Sequence, residues 1–301
     1  MVLKASELCP RAHHAVVEAF EEAGLPNGCL NQVQASRSEA PAVTEILIAH
    51  PTIQKIDFIG SAAVGRIIGQ VAARYLKPVL MELGGKSPAI VLKDADLASA
   101  ARLCIFGAFL HHGQICFSTE RIIVEESVAK EFTSLLVAEV STRYSGIVGH
   151  AVSKSIANHA HGILKEAHDG RTAFLVGDNS FKASIKYSDT LRDEETFGPS
   201  ATLYTVQDRE EAVKLAKSSA YGLNATIHTT NMLLALQMAE DLAYGQVHVN
   251  AATVYDQDTI PVSGTKNSGW GSNNGKYGIA EFLVRKTVTL HQPNAPLSFG
   301  S

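Results

Sequence analysis

Between Lys55 and Leu83 the chain alternates element types in a way that few folds accommodate. Lys55-Ile56-Asp57-Phe58-Ile59 has strand character and runs into Gly60-Ser61-Ala62-Ala63-Val64-Gly65. A helix pattern follows, with Val64, Ile67, Ile68, Val71, Ala72 and Tyr75 on one face, and Pro78 closes it. Val79-Leu80-Met81-Glu82-Leu83 then reads as a second strand, ending at Gly84-Gly85. Two strands joined through a helix pair parallel with a right-handed crossover, so this segment predicts an α/β fold built on a parallel sheet.

The rest of the chain extends the pattern. At 301 residues it has the length of about two domains. Met1-Val2-Leu3 looks like the tail of a strand, which suggests that sequence is missing upstream. A cap at Ser6 and a helix from Pro10 to Ala23 follow, stopped by Gly24, and a second helix is expected from Pro41 to His50. Asp94 and Asp96 start a helix that runs through Phe109 and breaks at Gly113. Later come a strand from Thr202 to Val206, helices from Glu210 to Ser218 and Met232 to Asp241, and a strand from Gln246 to Asn250. Ser141 to Ser188 is polar, rich in His and Ser, and weak in periodicity. Pro261 to Tyr277 is glycine-rich and reads as an ordered loop anchored by Trp270 and Tyr277.

Composition narrows the partners. Lys and Arg total 26 against 30 Asp and Glu, a net charge of −4, and no basic run stands out. A nucleic-acid binder working through bulk positive charge is therefore excluded, and small molecules are the expected partners. The four cysteines, Cys9, Cys29, Cys104 and Cys116, form no C-x-x-C pair. That pattern suits a reducing compartment rather than a disulfide scaffold. No segment approaches roughly 18 uninterrupted apolar residues and no secretory leader is visible, so a soluble, cytoplasmic protein without a membrane partner is expected.

Several residues could carry chemistry. Gly60 to Gly65 follows a strand and opens a helix, where backbone N–H groups and the helix dipole can hold a phosphate, with Ser61 adding a hydroxyl. A tight turn needing small residues for packing explains it equally well. Gly85-Lys86-Ser87 resembles a P-loop only superficially. That motif needs a glycine where Leu80 stands, and Pro88 would interrupt the helix it requires. Cys116, in the loop Gly113-Gln114-Ile115-Cys116, is placed for nucleophilic attack, although most such cysteines are structural. Glu82 is a carboxylate on an otherwise apolar strand. Partial desolvation would raise its pKa and suit it to general-base work, whereas an edge carboxylate facing water would do nothing. The adjacent pairs His13-His14 and His111-His112 point apart on a helix and no H-E-x-x-H occurs, so no metal is expected.

Met81-Glu82-Leu83-Gly84-Gly85-Lys86-Ser87-Pro88 followed by Gly113-Gln114-Ile115-Cys116 resembles the paired signatures of the NAD(P)-dependent aldehyde dehydrogenases. Asp94-Ala95-Asp96-Leu97, Glu195-Thr196-Phe197-Gly198-Pro199, Val249-Asn250 and Ser268-Gly269-Trp270-Gly271 match the family in order over most of the chain. Phe117-Ser118-Thr119-Glu120-Arg121, Val247-His248-Val249-Asn250 and Thr253-Val254-Tyr255-Asp256 are similar to the branch acting on salicylaldehyde, benzaldehyde or vanillin.

The resemblance implies an incomplete Rossmann-type cofactor sheet over residues 1–83, an α/β catalytic domain over 84–283 and an oligomerisation-type tail over 284–301. It implies that Cys116 attacks the aldehyde to give a thiohemiacetal and then a thioester, and that Glu82 activates the water releasing the acid. Gly60, Ser61 and Gly65 would approach the cofactor pyrophosphate. Lys4 and Glu7 would hold the adenosine ribose, with the Glu7 carboxylate favouring NAD over NADP. Glu195 would bind the nicotinamide ribose, with Phe197 lining the same site. Family members carry a long further segment before the position of Met1, including the first strand of the cofactor sheet and an oxyanion asparagine. The resemblance therefore describes an N-terminally truncated chain that acts on an aldehyde and is able to form a homo-oligomer. The alternative is a non-catalytic remnant that at most binds a full-length relative.

Overall fold

The computed structural model describes residues 1–144, 148–170, 172–177, 184–187 and 193–293. The first part runs β1 (Val2–Lys4), α1 (Pro10–Glu22), β2 (Asn31–Val33), α2 (Ala40–Ala49), β3 (Ile56–Gly60), α3 (Ala62–Arg74) and β4 (Val79–Leu83). β1 and β2 pair parallel as one small sheet, and β3 and β4 pair parallel in another, in register from Ile56↔Val79 to Gly60↔Leu83. The crossover expected between Lys55 and Leu83 is thus present. Its helix α3 packs Ala62, Ile68, Val71 and Ala72 against Met81 and Leu83 of β4. A Cβ at Gly65 would stand 2.6 Å from the Leu83 side chain, and one at Gly60 would stand 2.6 Å from the Phe58 ring. A Cβ at either glycine would have to displace that neighbouring side chain, so close packing accounts for both glycines, whatever else their turn does.

The second part builds the main core. It contains β5 (Ser87–Val91), α4 (Leu97–Phe109), β6 (Thr119–Glu125), α5 (Glu126–Glu139), α6 (Lys154–Asp169), β7 (Phe174–Val176), β8 (Ser184–Tyr187) and β9 (Ser200–Val206). After these come α7 (Arg209–Lys217), β10 (Tyr221–Gly222), β11 (Asn224–His228), α8 (Met232–Asp241) and β12 (Gln246–Val249). Among the described residues a seven-stranded sheet runs β12-β11-β5-β6-β9-β8-β7, parallel throughout except for the β7–β8 pair. Successive side chains leave opposite faces. Ala89, Val91, Ile122 and Val124 meet Ala101, Cys104 and Ile105 of α4 and Phe132 and Leu136 of α5. Ile90 and Ile123 meet Ala212 of α7 and Ala235 and Met238 of α8 on the other side. A parallel strand covered on both faces needs an unbroken apolar run, which Ala89-Ile90-Val91-Leu92 and Ile122-Ile123-Val124 provide.

The final stretch holds β13 (Val262–Ser263), β14 (Thr265–Lys266), β15 (Gly269–Trp270), β16 (Ser272–Asn273) and α9 (Gly275–Glu281). The glycine-rich segment is ordered, as expected, but as short ladders rather than a loop. β15 pairs antiparallel with β4, placing Gly269 opposite Glu82, while β14 pairs with β10 and β13 with β16. Gly269 has φ +105°, and a Cβ there would stand 2.1 Å from the Met81 carbonyl oxygen, so only glycine permits this approach. Trp270 is an anchor through its Nε1–H, which donates to the Val79 carbonyl at 2.8 Å. Tyr277 stays largely exposed and is not one.

Four local expectations need correction. Cys9, not Ser6, occupies the N-cap of α1 and makes no side-chain cap bond; Pro10 presets the first turn, and the Ser6 hydroxyl accepts from Leu8 N–H instead. Asp96 caps α4 by accepting from Ser99 N–H, but Asp94 accepts from the Thr229 and Thr230 hydroxyls. His111 and His112 are not helical neighbours, because both have left-handed backbone with φ +49° and +63°. Ser141 to Ser188 contains the regular helix α6, whose core contact is limited to Ala160, Ile163 and Leu164. Parts of that segment, and residues 294–301 of the expected tail, lie outside the described residues.

Candidate active site

The loop bearing Cys116 begins where α4 ends at Phe109. A left-handed turn through His111, His112 and Gly113 (φ +66°) reverses the chain before β6. A Cβ at Gly113 would lie 2.2 Å from the Gly198 carbonyl, so this glycine brings the cysteine loop against the loop bearing Glu195. The two meet over the end of β4. A Cβ at Gly84 would be 2.2 Å from the Glu195 carboxylate, and one at Gly85 would be 2.5 Å from the Cys116 carbonyl oxygen. Gly85 N–H also donates to Glu195 Oε1 at 3.1 Å. The glycine pair is thus a seat for one loop on each residue, a role its position after a strand did not reveal.

Glu82 sits on β4 between β3 and β15, so it is not an edge carboxylate, and it is buried. Desolvation raises its pKa, a hydrogen bond from Asn273 Nδ2 at 2.5 Å pulls it back, and the charges of Asp57 and Asp256 raise it further. The desolvation expected to raise its pKa is present. Asn273 was not singled out in the sequence, since nothing in the glycine-rich segment marked it as the residue that would reach across to β4.

Burial pushes the Cys116 thiol up to about 12, with Glu82 and Glu195 adding to the shift through their charges. Backbone N–H groups of Cys116 and Phe117 directed at the sulfur act in the opposite sense. Glu195 is raised to about 8, first by desolvation and then by the charge of Glu120, against the Gly85 N–H bond and Lys86. One thiol and two carboxyl groups of elevated pKa therefore share one site, a grouping that could support acid–base chemistry. Cys9, Cys29 and Cys104 have no such surroundings; Cys104 is fully buried, 3.9 Å from His228 Nε2.

Phe197 adjoins this centre, and the other expected residues sit on other elements. Ser61 caps α3 by accepting from Val64 N–H at 3.3 Å, which leaves its hydroxyl proton and the first helical N–H groups free to face an anion. Gly60 and Gly65 flank that cap. Lys4 ends β1, in the separate small sheet, where its Nζ donates to the Ala5 carbonyl at 3.3 Å, and Glu7 follows in the next turn. Phe197 adopts φ +51° beside Glu195. Ser87 lies in a strand rather than at a helix start, in accord with the rejected P-loop. Among the described residues no helix is long and apolar enough to cross a membrane.

The aldehyde dehydrogenase family model matches residues 1–288. The chain is 38% identical to a salicylaldehyde dehydrogenase of Pseudomonas sp. (strain C18) and 37% identical to a vanillin dehydrogenase of Pseudomonas fluorescens, each over 96% of its length. A crystal structure of a salicylaldehyde dehydrogenase from Pseudomonas putida G7, complexed with salicylaldehyde, superposes with a TM-score of 0.89 at 36% identity over 97% of the chain. The chain spans 63% of the length of those two relatives and 65% of that solved chain. The protein belongs to the aldehyde dehydrogenase family, and in motif it stands with the salicylaldehyde, vanillin and benzaldehyde dehydrogenases.

Proposed function

We propose that this chain oxidises an aromatic aldehyde to the carboxylic acid with NAD, through a covalent thioester on Cys116. The observation that carries the reading is the grouping of Cys116 with Glu82 and Glu195 over the Gly84-Gly85 seat. The residues present suit a nicotinamide dinucleotide. The capped N-terminus of α3 offers N–H donors to a pyrophosphate, and the Glu195 carboxylate, which accepts from Gly85 N–H through Oε1, suits ribose hydroxyls. Glu7, in the turn after β1, supports NAD over NADP, because a carboxylate accepts from a free 2′-hydroxyl and repels a 2′-phosphate. When bound, the cofactor accepts the hydride released from the substrate carbon.

Cys116 supplies the nucleophile. Once the Cys116 thiol has released its proton to water, the thiolate sulfur attacks the aldehyde carbonyl, and the N–H groups of Cys116 and Phe117 directed at the sulfur favour that thiolate. After hydride loss the thioester carbon remains bound to sulfur. Glu82, held by Asn273 and above the ordinary carboxylate range, takes a proton from water, whose oxygen then displaces the thiolate and frees the acid. The salicylaldehyde dehydrogenase relatives support an aromatic aldehyde as substrate. Replacing Cys116 by Ala tests the assignment. NADH formation should fall at least roughly a thousandfold while NAD binding persists, and near-normal turnover would rule it out.

A second reading, a chain that turns over only in association with a relative, is favoured by one observation. Ile59, Val64, Ile67 and Leu76 around β3 and α3 expose large apolar side chains, Leu76 to 92%.

A further inference from the structure

Lys86 and Glu120 form an ion pair at 2.5 Å whose side chains are only 5% and 4% exposed. A buried pair costs more in lost hydration than its attraction returns unless the remaining donors and acceptors are also used. Here they are used, and by a single segment. Glu120 accepts from Thr196 N–H at 2.8 and 2.9 Å through its two oxygens, and its Oε1 also accepts from Phe197 N–H at 3.1 Å. Lys86 donates to the Glu194 carbonyl at 2.5 Å and to Thr196 Oγ1 at 3.2 Å.

The backbone explains why a carboxylate is wanted. Phe197 is left-handed, a conformation a residue with a Cβ adopts only when its surroundings impose it. Consecutive N–H groups in such a turn converge on one point and form a concave anion site. Glu120 fills that concavity with a carboxylate from β6, and Lys86, the residue just before the neighbouring β5, neutralises it. An apolar pair of equal volume would keep the core filled but leave these N–H groups unmatched. Glu195 stands between the gripped residues with its carboxyl turned toward Gly85 and Cys116.

We infer that Glu120, neutralised by Lys86, is a positioning residue: it holds the left-handed turn that presents Glu195 and Phe197 to the cofactor. The inference rests on the reading of Glu195 as a cofactor ligand. It also gives a reason for Glu120 in the Phe117-Ser118-Thr119-Glu120-Arg121 motif, a carboxylate in an otherwise buried strand.

The test uses the full chain with Lys86→Met/Glu120→Leu, which strands no charge, beside Lys86→Met/Glu120→Gln, which restores an acceptor. Amide hydrogen exchange over residues 194–198 is followed without cofactor, NAD Kd by calorimetry, and Tm by thermal melting. With Leu, exchange over the segment should quicken and NAD Kd rise roughly tenfold or more, while Tm changes by a few degrees. With Gln, most of the protection should return. A folded Leu variant with unchanged exchange would overturn the inference, and so would one that no longer unfolds cooperatively, since the pair would then serve global stability. Glu195→Gln, run in parallel, should weaken NAD binding and leave exchange unchanged. A Glu195→Gln chain with normal NAD affinity, or a wild type that binds no NAD, would count against the reading of Glu195 alone, and the exchange data would still judge the clamp.

Discussion

A cysteine whose thiol is held near pH 12 is a poor nucleophile at neutrality until something offsets its burial, and that state is directly observable. In the cofactor-free chain, alkylation of Cys116 by iodoacetamide should be slow at pH 7 and rise about tenfold per pH unit as the thiolate fraction grows. Exposed Cys29 serves as the internal control, with both read by mass spectrometry of the labelled peptides. Equal labelling of the two at pH 7 would contradict the burial argument. Glu82 gives a different signature. Glu82→Gln should keep an initial burst of NADH and slow the steady state, because water activation follows hydride loss; absence of a burst would contradict that division. Asn273 stabilises the ionised form of Glu82, so removing it raises the Glu82 pKa further. In Asn273→Ala the acidic limb of the pH–rate profile should therefore move to higher pH, and an unmoved limb would detach Asn273 from the base.

Elements decide how accurately these groups meet. Gly85→Ala would drive a Cβ to 2.5 Å from the Cys116 carbonyl, backbone that cannot swing aside, so activity should fall by roughly a hundredfold with the fold retained. Ser61→Ala removes an N-cap and should cost about 1 kcal/mol in urea unfolding; a change below the error of that measurement would make the cap incidental. The elements legible in the sequence were those whose signals are local. β4 is a short apolar run bounded by Pro78 and Gly84, and α4 has its Asp96 cap and small apolar face. β5, β6 and β11 were not read from the sequence, because charged or polar residues at or just before their starts, Lys86, Glu120, Arg121 and Asn224, mask an apolar core. Those groups are satisfied only in the folded chain: Arg121, fully buried, donates to the Lys86, Leu215 and Ala216 carbonyls and the Tyr244 hydroxyl. Cys116, Glu82 and Glu195 were legible through their motifs. Asn273 and the Lys86–Glu120 clamp were not, since each depends on a partner distant in the chain.

At the scale of the molecule, proton linkage offers a check on the site as a whole. The folded pKa of Glu195, about 8, lies above its ordinary value of 4.5. The native state therefore binds more protons than the unfolded state between those values, and stability falls as pH rises through that window. Urea midpoints should decline from pH 5 to pH 8, and the decline should be shallower in Glu195→Gln; parallel slopes would place the linkage elsewhere. The exposed apolar side chains around α3 also make assembly a property to measure alongside activity. The most direct test of the central claim is NADH formation by the purified 301-residue chain with NAD and salicylaldehyde, beside Cys116→Ala, after both are shown to unfold cooperatively. NADH production that disappears with the Cys116 sulfur is the predicted result. A folded wild-type chain that produces none, or a Cys116→Ala chain that produces as much, would contradict it.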